Sequence, residues 1–348
     1  MEGRSLSIPV LRGNAQVPLE PLRGRTIAVL GYGNQGRAHA LNLRDSGLQV
    51  RIGQRAGRSA DRARLDGFQV ESLSEAASVA DLAIIALPDE NQPEIFRDQI
   101  APALKAGTTI GFIHGFAVHY GFLQPERHLG VVMVAPKGPG TTLRDRFQRG
   151  QGLPALLAVH QPGERDEAEA FGLAWAAGIG AGRAGVIRTS FAHETETDLF
   201  GEQAVLCGGM TALIHAAFET LVDAGYPSEL AYLECCHEVK QVADLVYERG
   251  LAGMTEAISN TAEFGTYTAG PRIADAHLRE QLQQLLSEIR DGSFARKFRE
   301  DVQAGSPWFE TQRERIRQHP SEPVGQAVRL LMPWLQNNSD QANTGDSD

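Results

Sequence analysis

The sequence predicts an α/β domain, a parallel sheet covered by helices, followed by an all-helical domain. Up to about residue 190, short apolar runs alternate with helical stretches, and the first apolar run enters a glycine-rich turn. Beyond that point the strand signals stop, and apolar residues recur at three- and four-residue spacing.

In chain order, "TIAVLGYG" (26–33) reads as a strand entering the turn, 34–46 as a helix stopped at Gly47, and "LQVRIG" (48–53) as the second strand. Further strands are expected at 81–88, 108–115, 131–138, 154–160 and 184–191, each closing on Gly, Pro or a polar cluster. Helices are expected over 194–224, 227–250 and 272–303, separated by "AGYPS" and "SNTAEFGTYTAGPR". The polar run 336–348 reads as a disordered tail. This divides the chain into a nucleotide-binding domain over 1–188, a helical domain over 189–335, and the tail.

With 348 residues, the chain is long enough for two domains. A formal net charge of -10, with no cluster of Lys and Arg, argues against nucleic acid as a partner. Cys207, Cys235 and Cys236 are too few and too oddly spaced for a disulfide framework or zinc ribbon; they fit a reducing cytoplasm and read as small buried hydrophobes. The start "MEGRSLSIPVLRG" lacks the apolar region of a signal peptide, and no uncharged apolar run reaches roughly 18 residues. The expectation is a cytoplasmic protein without a membrane partner.

Gly31, Gly33 and Gly36 in "GYGNQG" form G-x-G-x-x-G between a strand and a helix, the Rossmann-type dinucleotide turn. The three glycines serve a tight turn, close approach of the backbone to a pyrophosphate, and packing of helix on strand. The helix N-terminus then offers free N–H groups to the anion. An NAD site usually places an acid about 20 residues on, at the end of the second strand. Residues 46–60 contain none; they hold Arg51, Arg55, Arg58 and Ser59, which suit the 2'-phosphate of NADP(H). The expected cofactor-binding set is Gly31, Gly33, Asn34, Gln35, Gly36, Arg55, Arg58, Ser59 and Gly140. The bland alternative is a solvated arginine loop.

"ETETDLFGEQ" (194–203) carries four acids directly into an apolar stretch. Glu194, Asp198 and Glu202 are four apart, as are Glu234 and Glu238 in the next helix, so two helices can present carboxylates across an apolar interface. Unpaired charges there cost several kcal/mol each and need protons, basic partners or cations. Oxygen-only ligation suits Mg²⁺ first and Mn²⁺ second, as a two-metal clamp. Spacing leaves open which of the five acids bind.

These residues, with "HGF" (114–116), "MVAPKGPG" (133–140), "ETETDLFGEQAVLCGG" (194–209), "FETLVDAGY" (218–226), "HEVK" (237–240) and "SNTAEFG" (259–265), resemble ketol-acid reductoisomerase (acetohydroxy acid isomeroreductase) from about residue 20 to 335. The resemblance implies Mg²⁺-assisted alkyl migration in a 2-aceto-2-hydroxy acid, then NADPH reduction to a 2,3-dihydroxy acid, in valine and isoleucine biosynthesis. It implies that Asp198 bridges two Mg²⁺ ions, that Glu202 binds one, and that Glu234 and Glu238 serve the second metal and the substrate. It implies that Ser259 holds the substrate carboxylate, and that His114, Lys137 and Glu238 are catalytic. The length resembles the short class, whose knotted helical domain completes the site of a partner subunit in a homodimer or larger assembly. Thr141, Ala117 and Arg188 depart from the family pattern on the expected cleft loops. They keep two alternatives open: a relative that only reduces a 2-keto acid or takes another substrate, and an idle nucleotide-binding regulator.

Overall fold

The computed structural model describes residues 7–335, so the tail expected at 336–348 lies outside the described residues. Among the described residues, nine strands form one sheet: β1 (Val10–Leu11), β2 (Thr26–Leu30), β3 (Gln49–Gly53), β4 (Val70–Glu71), β5 (Leu82–Ile85), β6 (Thr109–Phe112), β7 (Gly130–Pro136), β8 (Ala155–Gln161) and β9 (Val186–Arg188). Their order is β1-β9-β8-β7-β6-β5-β2-β3-β4. The strands from β4 through β7 are parallel throughout, and the order reverses between β2 and β5. That reversal opens a crevice at the strands' carboxyl ends, where doubly wound sheets bind ligands.

The sheet is mixed, which corrects the purely parallel expectation. β8 pairs antiparallel with β7, Pro136 opposite Ala155, and β1 pairs antiparallel with β9. The chain leaves β7 and re-enters at the same end of the sheet, where Lys137 N donates to Pro154 O at 2.9 Å. An apolar run buried on both faces carries no mark of its direction.

Alternation along the strands divides the core. Ile27, Val29, Ile52, Ile84 and Val134 face the helices Asn34–Asp45 and Ala168–Gly178, whereas Ala28, Leu30, Ile85, Phe112 and Met133 fill the opposite face. On the first face His39 is fully buried, and its Nδ1 accepts from Trp175 Nε1 at 2.9 Å.

This unit ends at Thr195, and a second begins at Glu196. The second is helical. Two of its expected helices differ in detail, and one expected linker is itself a helix. Asn260–Ile273 is helical although it contains Gly265, Gly270 and Pro271; Ser259 caps it by accepting from Ala262 N, and Pro271 falls near the end. The helix expected over 272–303 is two, Ala276–Arg290 and Ser293–Gln303, parted at Gly292 with φ +75°. The helix expected to end at 250 kinks there, Gly250 having φ +74°.

The core of this unit is small, around Phe218, Ala231, Tyr232 and Val328. Leu206, Leu213, Tyr247, Leu251, Phe264 and Trp308 are exposed on the single chain. The cysteines depart from expectation for the same reason: Cys207 is exposed and Cys235 and Cys236 are only half-buried. The helical run Phe191–Asp223 is long and apolar enough to cross a membrane by length and composition alone. Its uncharged stretch, 203–218, lies between Glu202 and Glu219 and stays below roughly 18 residues, in line with the sequence expectation.

Candidate active site

Each glycine of the turn has its own physical reason. At Gly31, φ is +105° and a Cβ would stand 2.5 Å from Ala86 O. At Gly33 a Cβ would meet nothing within 4 Å, so bare backbone faces open space. At Gly36 a Cβ would stand 2.3 Å from Gly31 O, so the helix Asn34–Asp45 reaches the turn only without a side chain. Gly140 behaves alike: its Cβ would stand 2.2 Å from Asn34 O. Gln35 Nε2 donates to Gly138 O at 3.0 Å and so joins the loop after β7 to the turn.

A cavity of about 450 Å³ lies beside the turn. Gly31, Gly33, Asn34 and Gln35 line it, with Gln54 and Arg55 just after β3, Arg58 and Ser59 at the start of the helix Arg58–Leu65, Asp89 and Asn91 after β5, and His114 after β6. Gly36 and Gly140 are absent from that lining and act through packing. Arg51, grouped with Arg55 and Arg58 in the sequence reading, turns elsewhere: its guanidinium pairs with Glu71 across β3 and β4. β4 is two residues long and left no sequence signal, so this partner was not foreseen.

At the end of β6 the cavity meets a cluster of charges. Glu194, 1% exposed, accepts from Lys137 Nζ at 2.8 Å, from Gly115 N at 3.2 Å, and lies 3.0 Å from His114 Nδ1. Burial by itself would raise its pKa. The hydrogen bond and charge of His114, together with the Lys137 ammonium, outweigh burial and hold the carboxyl below the usual range. Gly115 makes the approach possible, since a Cβ there would stand 2.4 Å from Thr195 Oγ1. His114 therefore belongs both to the cavity wall and to the acid cluster.

Asp198 follows one turn later on the same helix, Phe191–Gly201, and is half-buried. Glu202, Glu234 and Glu238 are exposed on the single chain, which corrects the expectation of buried carboxylates for all but Glu194. Among the described residues, the apolar side chains beside them, Val205, Leu206, Leu230 and Val242, are exposed. Ser259 is also exposed, at the start of its helix. Both acidic helices carry a π segment at the acids, Glu202–Leu206 and Leu233–His237, closed by Cys207 N to Glu202 O (2.9 Å) and Glu238 N to Leu233 O (3.1 Å). Such bulges are frequent at functional sites. A uniform four-residue period had been assumed from sequence.

The sequence matches two family descriptions: "Acetohydroxy acid isomeroreductase, NADPH-binding domain" over residues 21–185 and "Ketol-acid reductoisomerase, C-terminal domain" over 191–334. The chain belongs to the ketol-acid reductoisomerase family.

A solved NADH-preferring ketol-acid reductoisomerase from an uncultured archean is 41% identical, with a TM-score of 0.91 over 93% of this chain and 99% of that one. A putative oxidoreductase from Jannaschia (16%, TM-score 0.57, 76% and 97% covered) shares the fold alone. So does a semialdehyde dehydrogenase NAD-binding protein from Cupriavidus necator (21%, TM-score 0.58, 77% and 99% covered). The chain is thus a nicotinamide-dependent oxidoreductase with ketol-acid reductoisomerase function, in branched-chain amino acid biosynthesis. Sequence reasoning missed Gln54, Asp89 and Gly115, and left Glu194 open, because its four-residue spacing to Asp198 does not tell a ligand from a partner of Lys137.

Proposed function

We propose that this reductoisomerase uses NADPH and two Mg²⁺ ions, and that His114, Lys137 and Glu194 hold the reacting end of its substrate. The observation that carries this reading is His114, which lines the nucleotide cavity and bonds the buried carboxylate of the acidic helix.

The residues fit a dinucleotide. Gly33 leaves room for a pyrophosphate, and Gln35 Oε1 is buried without a hydrogen-bond partner beside the turn, able to accept from a bound ligand. Arg55 and Arg58 are exposed on the cavity rim and suit a 2'-phosphate. The donor set on the helix fits a hard cation: Asp198 and Glu202 offer only oxygen and would hold Mg²⁺, with Glu234 and Glu238 contributing at the second ion. Glu194 is already balanced by Lys137 and His114, which makes it a fixed negative charge that positions both side chains rather than a further ligand. When bound, the reduced nicotinamide supplies hydride, and Mg²⁺ supplies Lewis acidity at the substrate oxygens. Lys137 and His114 orient the substrate and donate to the oxygen that gains charge, while Glu194 fixes both side chains and Ser259 holds the carboxylate.

Exposed apolar faces beside Glu234 and Glu238 support a homodimer in which the partner's helices complete each site, interlocked as in the short class. Three unpaired cysteines suit a reducing cytoplasm. Incubation with 2-acetolactate, NADPH and Mg²⁺ should yield the 2,3-dihydroxy acid. Turnover of the isomerised 2-keto acid alone, with none from acetolactate, would instead assign a reductase that has lost alkyl migration.

A further inference from the structure

The residue that follows β3 occupies the place where NAD sites put a carboxylate, and here it is Gln54. Its backbone N–H donates to Glu71 O at 2.9 Å, which fixes it to the sheet edge. Its side-chain Oε1 accepts from Tyr32 N, the middle residue of the glycine turn, at 2.9 Å. Only the oxygen of an amide can accept that bond, so the orientation of the side chain is set by chemistry. Tyr32 is itself fixed at its far end. Its phenol donates to Asp66 Oδ2 at 2.9 Å, and Arg37 grips both oxygens of Asp66 at 2.7 and 3.1 Å. Gln54 lines the cavity with Arg55, Arg58 and Ser59. With one lone pair of its oxygen engaged by the turn, the group of Gln54 that can answer an anion is the Nε2 amide, which offers two donors.

We propose that Gln54 is a specificity-determining residue of the nucleotide site, its Tyr32-oriented amide donating to a 2'-phosphate and supplying no carboxylate for a ribose 2'-hydroxyl. This rests on the NADPH reading above and adds to it a residue outside the arginine pair. A neutral amide is a poor reader of charge on its own. Beside two guanidinium groups it completes a rim of donors, and a dianion with only acceptor atoms matches such a rim.

Substitution separates the roles. Gln54→Glu keeps an oxygen for Tyr32 N and so keeps the turn, but it turns the remaining donors into a charged acceptor. Gln54→Leu removes both functions at similar size. Binding of NADPH and NADH to the full-length protein is followed by nicotinamide fluorescence for wild type, both Gln54 variants and Arg55→Ala/Arg58→Ala.

Wild type should prefer NADPH. Gln54→Glu should lose about ten- to a hundredfold in NADPH affinity while still binding NADH, the scale of one hydrogen bond to a charged group. Gln54→Leu should lose NADPH affinity by a smaller factor. If wild type prefers NADPH and the arginine variant loses that preference, yet both Gln54 variants keep the wild-type ratio, the Gln54 proposal is overturned and the cofactor reading stands. Parallel loss of both cofactors in both variants also overturns it, because Gln54 would then only hold the turn. A wild-type preference for NADH overturns both.

Discussion

Lys137 Nζ lies 2.8 Å from Glu194 Oε1, an ion pair between residues 57 apart in sequence. It joins the loop after β7 to the first turns of the acidic helix, and Glu194 is the one acid of that helix the single chain buries. Glu194→Gln keeps one oxygen and turns the other into an N–H₂ donor, so it can no longer accept from Lys137 and His114 on separate oxygens, and it removes the charge both face. Glu194→Gln is expected to lower kcat by about a hundredfold or more, with NADPH affinity nearly unchanged. Steady-state kinetics beside a fluorescence titration would check this; unchanged kcat would remove Glu194 from the site.

For the cofactor, Arg55→Ala/Arg58→Ala should raise the KM for NADPH by about tenfold or more and leave that for NADH much less affected. Equal changes in both would sink the 2'-phosphate assignment. Arg51→Ala serves as a contrast: its partner is Glu71, so it should leave the NADPH to NADH ratio as it was.

Acid stability should depend on His39. Burial holds its pKa down at about 3, against 6.5 in an exposed setting. Between those values the unfolded chain takes a proton that the folded one refuses. Its contribution is therefore complete above pH 6.5 and is lost as pH falls, at no more than about 1.4 kcal/mol per pH unit. Denaturant unfolding from pH 7 to 4 should show this slope, and His39→Gln, which keeps an acceptor for Trp175, should flatten it. An identical slope in the variant would assign the loss to other groups.

The metal and partner assignments can be tested together. Asp198→Asn should abolish Mg²⁺-dependent turnover with cofactor binding intact, and Glu238→Gln should be inactive likewise. If Glu238 acts in the partner's site, mixing the two dead variants under exchange should restore roughly a quarter of wild-type activity, since about half the dimers are mixed and each holds one complete site. Proven heterodimers without recovery would mean that each chain builds its own site.

The features legible in the sequence were those set by local chemistry. Gly31, Gly33 and Gly36 announced the turn by their spacing, and at Gly31 and Gly36 the structure leaves no room for a Cβ. Strands β2, β3 and β5 to β9 announced themselves as apolar runs, and the acidic motif stood out against its apolar surroundings. What escaped depends on residues brought together by the fold. The direction of β8 is set by where the chain turns after Pro136, the two-residue β4 leaves no pattern, and Gln54 matters only because Tyr32 N lies opposite. The helix Asn260–Ile273 was hidden behind Gly and Pro, whose low propensity is overridden by its cap and by the position of Pro271. The exposure of Glu202, Glu234 and Glu238 was misjudged because an apolar stretch in sequence does not say which chain will cover it.

The π segments at Glu202–Leu206 and Leu233–His237 also bear on how such a site can change. One extra residue is absorbed inside a single wide turn, so the helix on either side keeps its angular phase. A carboxylate at the bulge can then shift without rotating the apolar stripe that follows it. Each helix is in this sense assembled from two independently adjustable parts, one that sets where oxygens point and one that sets what the stripe packs against. Insertions or deletions of a single residue, ruinous in a uniform helix at about 100° of rotation each, become a means of retuning the acids while the stripe stays in register.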